Sequence, residues 1–226
     1  SQEWHKLSEE TQLNYNFKIF DEKMVQVVCP SGSHGTHVAG IVAAYHPGEE
    51  DKNGIAPGAQ IISVKIGDSR LNTLETQAGF IRGLRAAVRG GASIANFSYG
   101  EPAKYPMKGA SAREISECYL KHKMLFITSA GNSGPALTTV GAPASISDHL
   151  LSVGAFAAPS SHLPCYSLKE QGHEINYTWS SRGPTQDGGV GVNVSAPGVA
   201  ITAVPTATLM NNQLMNGTSM AAPSAA

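Results

Sequence analysis

The order of patterns along the chain predicts an α/β fold: a doubly wound, mostly parallel sheet with helices on both faces, incomplete at both ends. Three observations predict it. Short β-branched runs alternate with apolar stripes of helical period from residue 31 onward, as strand–helix–strand units do. Glycine and proline are frequent (24 and 13 of 226 residues) but follow no repeating period, which fits a compact body with many tight connections. The Gly-flanked polar motifs fall just after predicted strands, where parallel sheets bind ligands.

Residues 1–28 read as an irregular lead-in with one strand at 23–28. Residues 34–45 carry Val38, Ile41, Val42 and Tyr45 at helical spacing and predict a helix. After the loop PGEEDKNG, the β-branched run AQIISVKI predicts a strand at 59–66. Residues 73–89 set Leu74, Phe80, Ile81, Leu84 and Val88 on one side, as an amphipathic helix does. A buried strand at 92–98 follows, then a helix at 110–123 and strands at 124–129, 150–154 and 192–195. The chain stops in NGTSMAAPSAA, a helix start with almost no helix behind it. A piece of a longer polypeptide is expected.

Composition excludes several classes. Sixteen Lys and Arg against seventeen Asp and Glu leave a net charge of −1, so there is no basic field to hold nucleic acid or an anionic membrane. No apolar run approaches the roughly 18 residues of a membrane span. Cys29, Cys118 and Cys165 have neither disulfide-framework nor zinc-cage spacing, and a reduced compartment is the simpler reading. Four glycosylation sequons occur, at Asn96, Asn176, Asn193 and Asn216.

Three segments carry chemistry: SGSHGTHVAGI (31–41), SAGNSGP (129–135) and NGTSMAAP (216–223). In this order they resemble the three active-site blocks of the subtilisin-like serine proteases. The resemblance implies Ser219 as nucleophile, His34 as general base and Asn132 as the oxyanion-hole donor. The chemistry agrees. A serine hydroxyl needs a base to take its proton, and an imidazole titrates near working pH. Asn132, between Gly131 and Gly134, can aim an amide at a developing oxyanion. Alone, each has a blander reading: His34 and His37 as metal ligands, which lack a third ligand, Asn132 as a turn residue, and Ser219 as a helix-start residue. No cofactor or metal is expected.

The family's aspartate, in an Asp-Thr/Ser-Gly context, is missing. Asp21 does not match that context and Asp68 follows the histidine, so neither is assigned. An aspartate upstream of Ser1 is expected, with a genuine pseudoenzyme as the competing reading. Without the carboxylate, His34 loses its orienter, at a cost of about 10⁴ in kcat. The piece alone is therefore expected to be nearly inactive.

The stretches NGIAPGAQIISVKIGDSRLNTLET, NFSYGE, YTWSSRGPTQDG and QLMNGTSM resemble the tripeptidyl peptidase II branch most closely. That resemblance implies that residues 1–30 are the tail of an insert preceding the histidine block, and that 31–226 are part of a catalytic domain. It also implies that Ser98, Tyr99 and Gly100 form an edge pairing with substrate backbone, and that Glu75 and Glu101 bind the substrate's free amino group. Without it, Glu75 reads as a first-turn helix residue and Glu101 as a solvated loop charge. Oligopeptide substrates, a cytoplasmic home and a large homo-oligomer follow from the same resemblance. A cytoplasmic home suits Asn96 and Asn216, where glycans would block the site. The alternatives are a subtilisin-like endoprotease and a non-catalytic peptide-binding pseudoprotease.

Overall fold

The computed structural model describes residues 4–68, 74–102, 108–170 and 172–226. In chain order the elements are β1 (His5–Lys6), β2 (Asn14–Phe20), β3 (Met24–Val28), α1 (His34–Ala43), β4 (Gly67–Asp68), β5 (Leu74–Glu75), α2 (Gln77–Arg89), β6 (Ile94–Phe97), α3 (Ala110–His122), β7 (Leu125–Ser129), β8 (Leu151–Ala157), α4 (His162–Tyr166), β9 (Ile175–Asn176), β10 (Val194–Pro197), β11 (Val199–Ala203), β12 (Asn212–Asn216) and α5 (Thr218–Ala225).

The central sheet runs β10-β8-β7-β6 with every neighbour parallel, and the short β9 pairs antiparallel to β8. Successive side chains on a strand point to opposite faces, and β7 uses both. Phe126 faces α2 and α3, in a cluster with Phe80, Leu84, Ile115, Cys118 and Met124. Ile127 faces α5, with Val153, Ala155, Ala196, Ala221 and Ala222. Helices therefore cover both faces of a parallel sheet, as the sequence predicts. A two-pronged ion pair, Arg85 Nε and Nη2 to the Glu114 carboxylate at 2.9 and 2.8 Å, ties α2 to α3. Alanines on α5 let that helix lie close against β7, β8 and β10.

Three elements differ from expectation. Residues 59–66 form no strand. Ile61 and Ile62 are 49% and 46% exposed, because no strand among the described residues pairs with the run, while Ile66 still packs against the Phe80 cluster. The helix expected from residue 73 starts at Gln77, where the Thr76 hydroxyl caps it by accepting from Gly79 N at 3.0 Å. Glu75 accordingly lies in β5, with its backbone opposite Gly67, and not in the helix. The lead-in is not irregular: β1, β2 and β3 form an antiparallel sheet. It touches the main body where the Thr206 hydroxyl donates to the Gln12 carbonyl at 2.9 Å. Among the described residues no helix is long and apolar enough to cross a membrane.

Candidate active site

The central sheet and α5 bring Ser98, Asn132 and Ser219 to one region. β6 delivers Ser98 and β7 delivers the loop holding Asn132, while β12 runs directly into Gly217 and the first turn of α5, which holds Ser219. The Ser219 hydroxyl donates to the Ser98 carbonyl at 3.0 Å, which ties the expected nucleophile to the expected substrate edge. The Thr218 N–H donates to Asn132 Oδ1 at 3.0 Å. Since that nitrogen can only donate, the oxygen of the Asn132 amide must face Thr218, and its Nδ2 is turned the other way.

Gly217 explains why the turn has no side chain. Its φ of 154° and ψ of 163° fall in a region that is essentially glycine's alone. A Cβ there would stand 3.4 Å from Asn132 Nδ2 and 3.6 Å from Ser219 N. Two donors thus flank one empty spot, and Ser219 N, in the first turn of α5, has no helical carbonyl to pair with. Gly131, with a φ of 108°, turns the chain so that its N–H meets the Thr218 hydroxyl at 3.2 Å.

His34 opens α1, and α1 packs against α5. His34 keeps exposed surface, yet the protein packed around the ring, and then the His37 imidazole, hold its pKa below the ordinary value. Among the described residues, His37 is the only titratable neighbour acting on it. His37 is fully buried and donates from Nε2 to the Gln213 carbonyl at 2.9 Å, anchoring α1 to β12. Burial lowers the His37 pKa, against a smaller upward pull from the Gln213 and Ala200 carbonyls. The folded state therefore binds this proton less readily than the unfolded chain. Its contribution to stability is complete above the ordinary value of 6.5 and is lost as pH falls through the depressed one. A histidine NMR titration is expected to place the His37 midpoint below 6.5, with thermal stability falling between about pH 7 and 5. A midpoint at or above the ordinary value would refute this.

The remaining expected residues are only partly assembled. Ser98 is buried, and its hydroxyl accepts from Asn96 Nδ2 at 3.1 Å. The Tyr99 ring meets Phe97 edge-on at 6.1 Å. Gly100 is exposed. Glu101 is exposed and backbone-paired in both directions with Ala142, at 3.0 and 2.7 Å. The Glu75 side chain lies outside the described residues. Sequence reasoning missed Thr218 and Ser181. The Ser181 hydroxyl accepts from Ser133 N at 3.1 Å and braces the Asn132 loop. The Gly-Thr-Ser and Ser-Ser-Arg-Gly-Pro runs were the only signals for these two.

The sequence model of the Subtilase family (Peptidase_S8) matches residues 7–226. The chain belongs to the subtilase family. Among subtilases, it is 52% identical over 209 residues to tripeptidyl-peptidase 2 of Arabidopsis thaliana, covering 92% of this chain and 15% of that protein. It is 41% identical over 206 residues to tripeptidyl-peptidase 2 of Caenorhabditis elegans, covering 91% and 15%. The crystal structure of tripeptidyl peptidase 2 (TPP II) superposes with a TM-score of 0.74 at 38% identity, over 95% of this chain and 16% of that one. The chain thus spans about 15% of the length of these curated subtilase relatives.

Proposed function

We propose that the chain is the catalytic portion of a serine exopeptidase of the tripeptidyl peptidase II type, releasing tripeptides from free N-termini of oligopeptides. Residues 31–226 are part of the catalytic domain and 1–30 the tail of a preceding insert. The observation that carries this reading is the meeting of the Ser219 hydroxyl with the Ser98 carbonyl beside an Asn132 amide held by Thr218. The likeness to tripeptidyl-peptidase 2 proteins supports the same reading.

In the reaction, the Ser219 oxygen attacks the carbonyl of the third substrate residue as His34 takes the hydroxyl proton. Asn132 Nδ2 and Ser219 N hold the oxyanion. His34 returns the proton to the departing amine, and water then hydrolyses the acyl-enzyme. Glu75 and Glu101 pair with the substrate's ammonium and set the three-residue length. A desolvated charge pair of this kind is worth a few kcal/mol, against under about 1 kcal/mol for an exposed one. An aspartate outside these residues orients His34, so the 226-residue chain alone is nearly inactive. A cytoplasmic location and a large homo-oligomer belong to the same reading.

The deciding experiment offers the full-length protein a tripeptide-reporter amide with its N-terminus free or acetylated. The free substrate is expected to be cleaved and the acetylated one to lose most of its kcat/KM. Equal cleavage of both would make this an endoprotease. If neither is cleaved and the folded protein also fails to react with a serine-directed phosphonate, the peptide-binding pseudoprotease reading takes over.

A further inference from the structure

The proposed base and nucleophile sit on different elements, His34 on α1 and Ser219 on α5, so their relation depends on how α1 is seated. His37 stands three residues after His34 on the same helix and is fully buried. Its Nε2 meets the Gln213 carbonyl of β12 at 2.9 Å. A carbonyl only accepts, so Nε2 carries the proton. Among the described residues this is the one side-chain hydrogen bond that α1 makes. Nδ1 is then a buried acceptor with no hydrogen-bond partner among the described residues. If packing were the site's only demand, an apolar side chain of similar size would fill it without an orphaned nitrogen. What such a side chain would lack is the donor. The far end of α1 is held separately, by Ile55 N and Ala56 N donating to the Ile41 and Val42 carbonyls at 2.9 and 2.7 Å. At the end that carries His34, the Ser33 side chain makes no capping bond. The His37 bond therefore holds the base-bearing end, and β12 runs from Gln213 through Asn216 and Gly217 to Ser219.

Gly40, three residues beyond His37, sets how closely the same helix approaches β11. A Cβ there would overlap Thr202 Oγ1 and stand 3.1 Å from Thr202 Cγ2, so α1 lies as near the hairpin as a glycine allows. We propose that His37 is a positioning residue for the proton transfer: it acts through His34, by tying the base-bearing helix to the strand that leads to the nucleophile. The proposal rests on the serine-peptidase reading above. Proton transfer from Ser219 to His34 needs hydrogen-bond reach, and a displacement of about 1 Å can cost on the order of 100-fold. A fully buried side chain does not meet the substrate, so its loss should appear in kcat and not in KM.

The test moves the joint in two independent ways in the full-length protein. His37→Leu fills the space without a donor and is expected to lower kcat for a tripeptide amide about tenfold or more, with KM nearly unchanged. His37→Gln offers an N–H at similar reach and is expected to recover most of that loss. Gly40→Ala leaves the His37 bond chemically intact but pushes α1 off β11, and the same selective loss of kcat is expected. Thr202→Ala alone should leave kcat near wild type, and combined with Gly40→Ala it should restore the rate, because the clashing atoms are gone. A folded His37→Leu protein with kcat within about twofold of wild type, or a glutamine variant that recovers nothing, would overturn the proposal. Should His37→Leu fail to fold, the Gly40 pair decides: an unchanged kcat in Gly40→Ala, or an undiminished loss in the pair, overturns it. If the wild-type protein hydrolyses no peptide, the peptidase reading fails instead. A structure of His37→Gln and Gly40→Ala then decides the joint: α1 in place on β12 in the first and shifted in the second supports the tie, and any other pairing overturns it.

Discussion

Replacing Ser219 by alanine in the full-length protein is expected to lower kcat for a tripeptide amide by about 10⁶-fold, the scale known for the matching serine in subtilisin. The size follows from chemistry rather than binding. Alanine removes the only atom proposed to form the acyl bond, while Asn132 Nδ2, Ser219 N and the Ser98–Gly100 edge remain. KM is accordingly expected to stay within a few-fold. The fold has little to lose, because the hydroxyl's one bond, to the Ser98 carbonyl, is worth about 1 kcal/mol net. A residual rate of about 10³–10⁴ over water is expected from the oxyanion donors and binding alone. Reaction with a serine-directed phosphonate should disappear with the hydroxyl. A loss of less than about 100-fold, with labelling retained, would mean that another residue is the nucleophile.

What the sequence made legible follows from where each signal resides. The helices and the parallel strands were readable because apolar period and length are local properties, as in α2 and β7. The β2–β3 hairpin was not read. Phe17 and Ile19 alternate as a strand should, but the turn uses Asp21 and Glu22 at φ of 50° and 58°. Turns with positive φ at both central positions announce themselves as Asn-Gly or Asp-Gly, and Asp-Glu carries no such signal. Residues 59–66 erred in the opposite direction. Their β-branched pattern is strand-like, but a strand also needs a neighbour, and pairing is not a local property. The site divides the same way. His34, Asn132 and Ser219 could be singled out as candidates because each sits in a motif of distinctive neighbours. The Thr218–Asn132 and Ser133–Ser181 hydrogen bonds join segments 86 and 48 residues apart, and only the tertiary fold brings them together.

That dependence of the site on the sheet leads to the largest stability effect. Phe126→Ala is expected to cost about 3–5 kcal/mol. Phe126 is fully buried, with its ring edge-on to Phe80 at 6.0 Å and tilted against Phe97 at 5.8 Å. Three further elements meet it on β7 (α2, β6 and α3), through Leu84, Phe97 and Ile115, together with Met124 just before β7. A truncated side chain leaves a cavity that can close only if several of them move together, and close-packed interiors relax little. The neighbouring Leu125, 36% exposed, is the control: Leu125→Ala opens no enclosed cavity and is expected to cost about 1 kcal/mol or less. Urea unfolding followed by tryptophan fluorescence separates the two. Trp179 stacks on Tyr177 at 4.5 Å and should respond to unfolding, whereas Trp4 is already 65% exposed. β7 ends at Ser129, three residues before Asn132, so the same cavity would loosen the base of the loop that carries the proposed oxyanion donor. A Phe126→Ala loss no larger than that of Leu125→Ala would show that the cluster repacks freely, and that the strand is not the rigid support on which the Asn132 geometry depends.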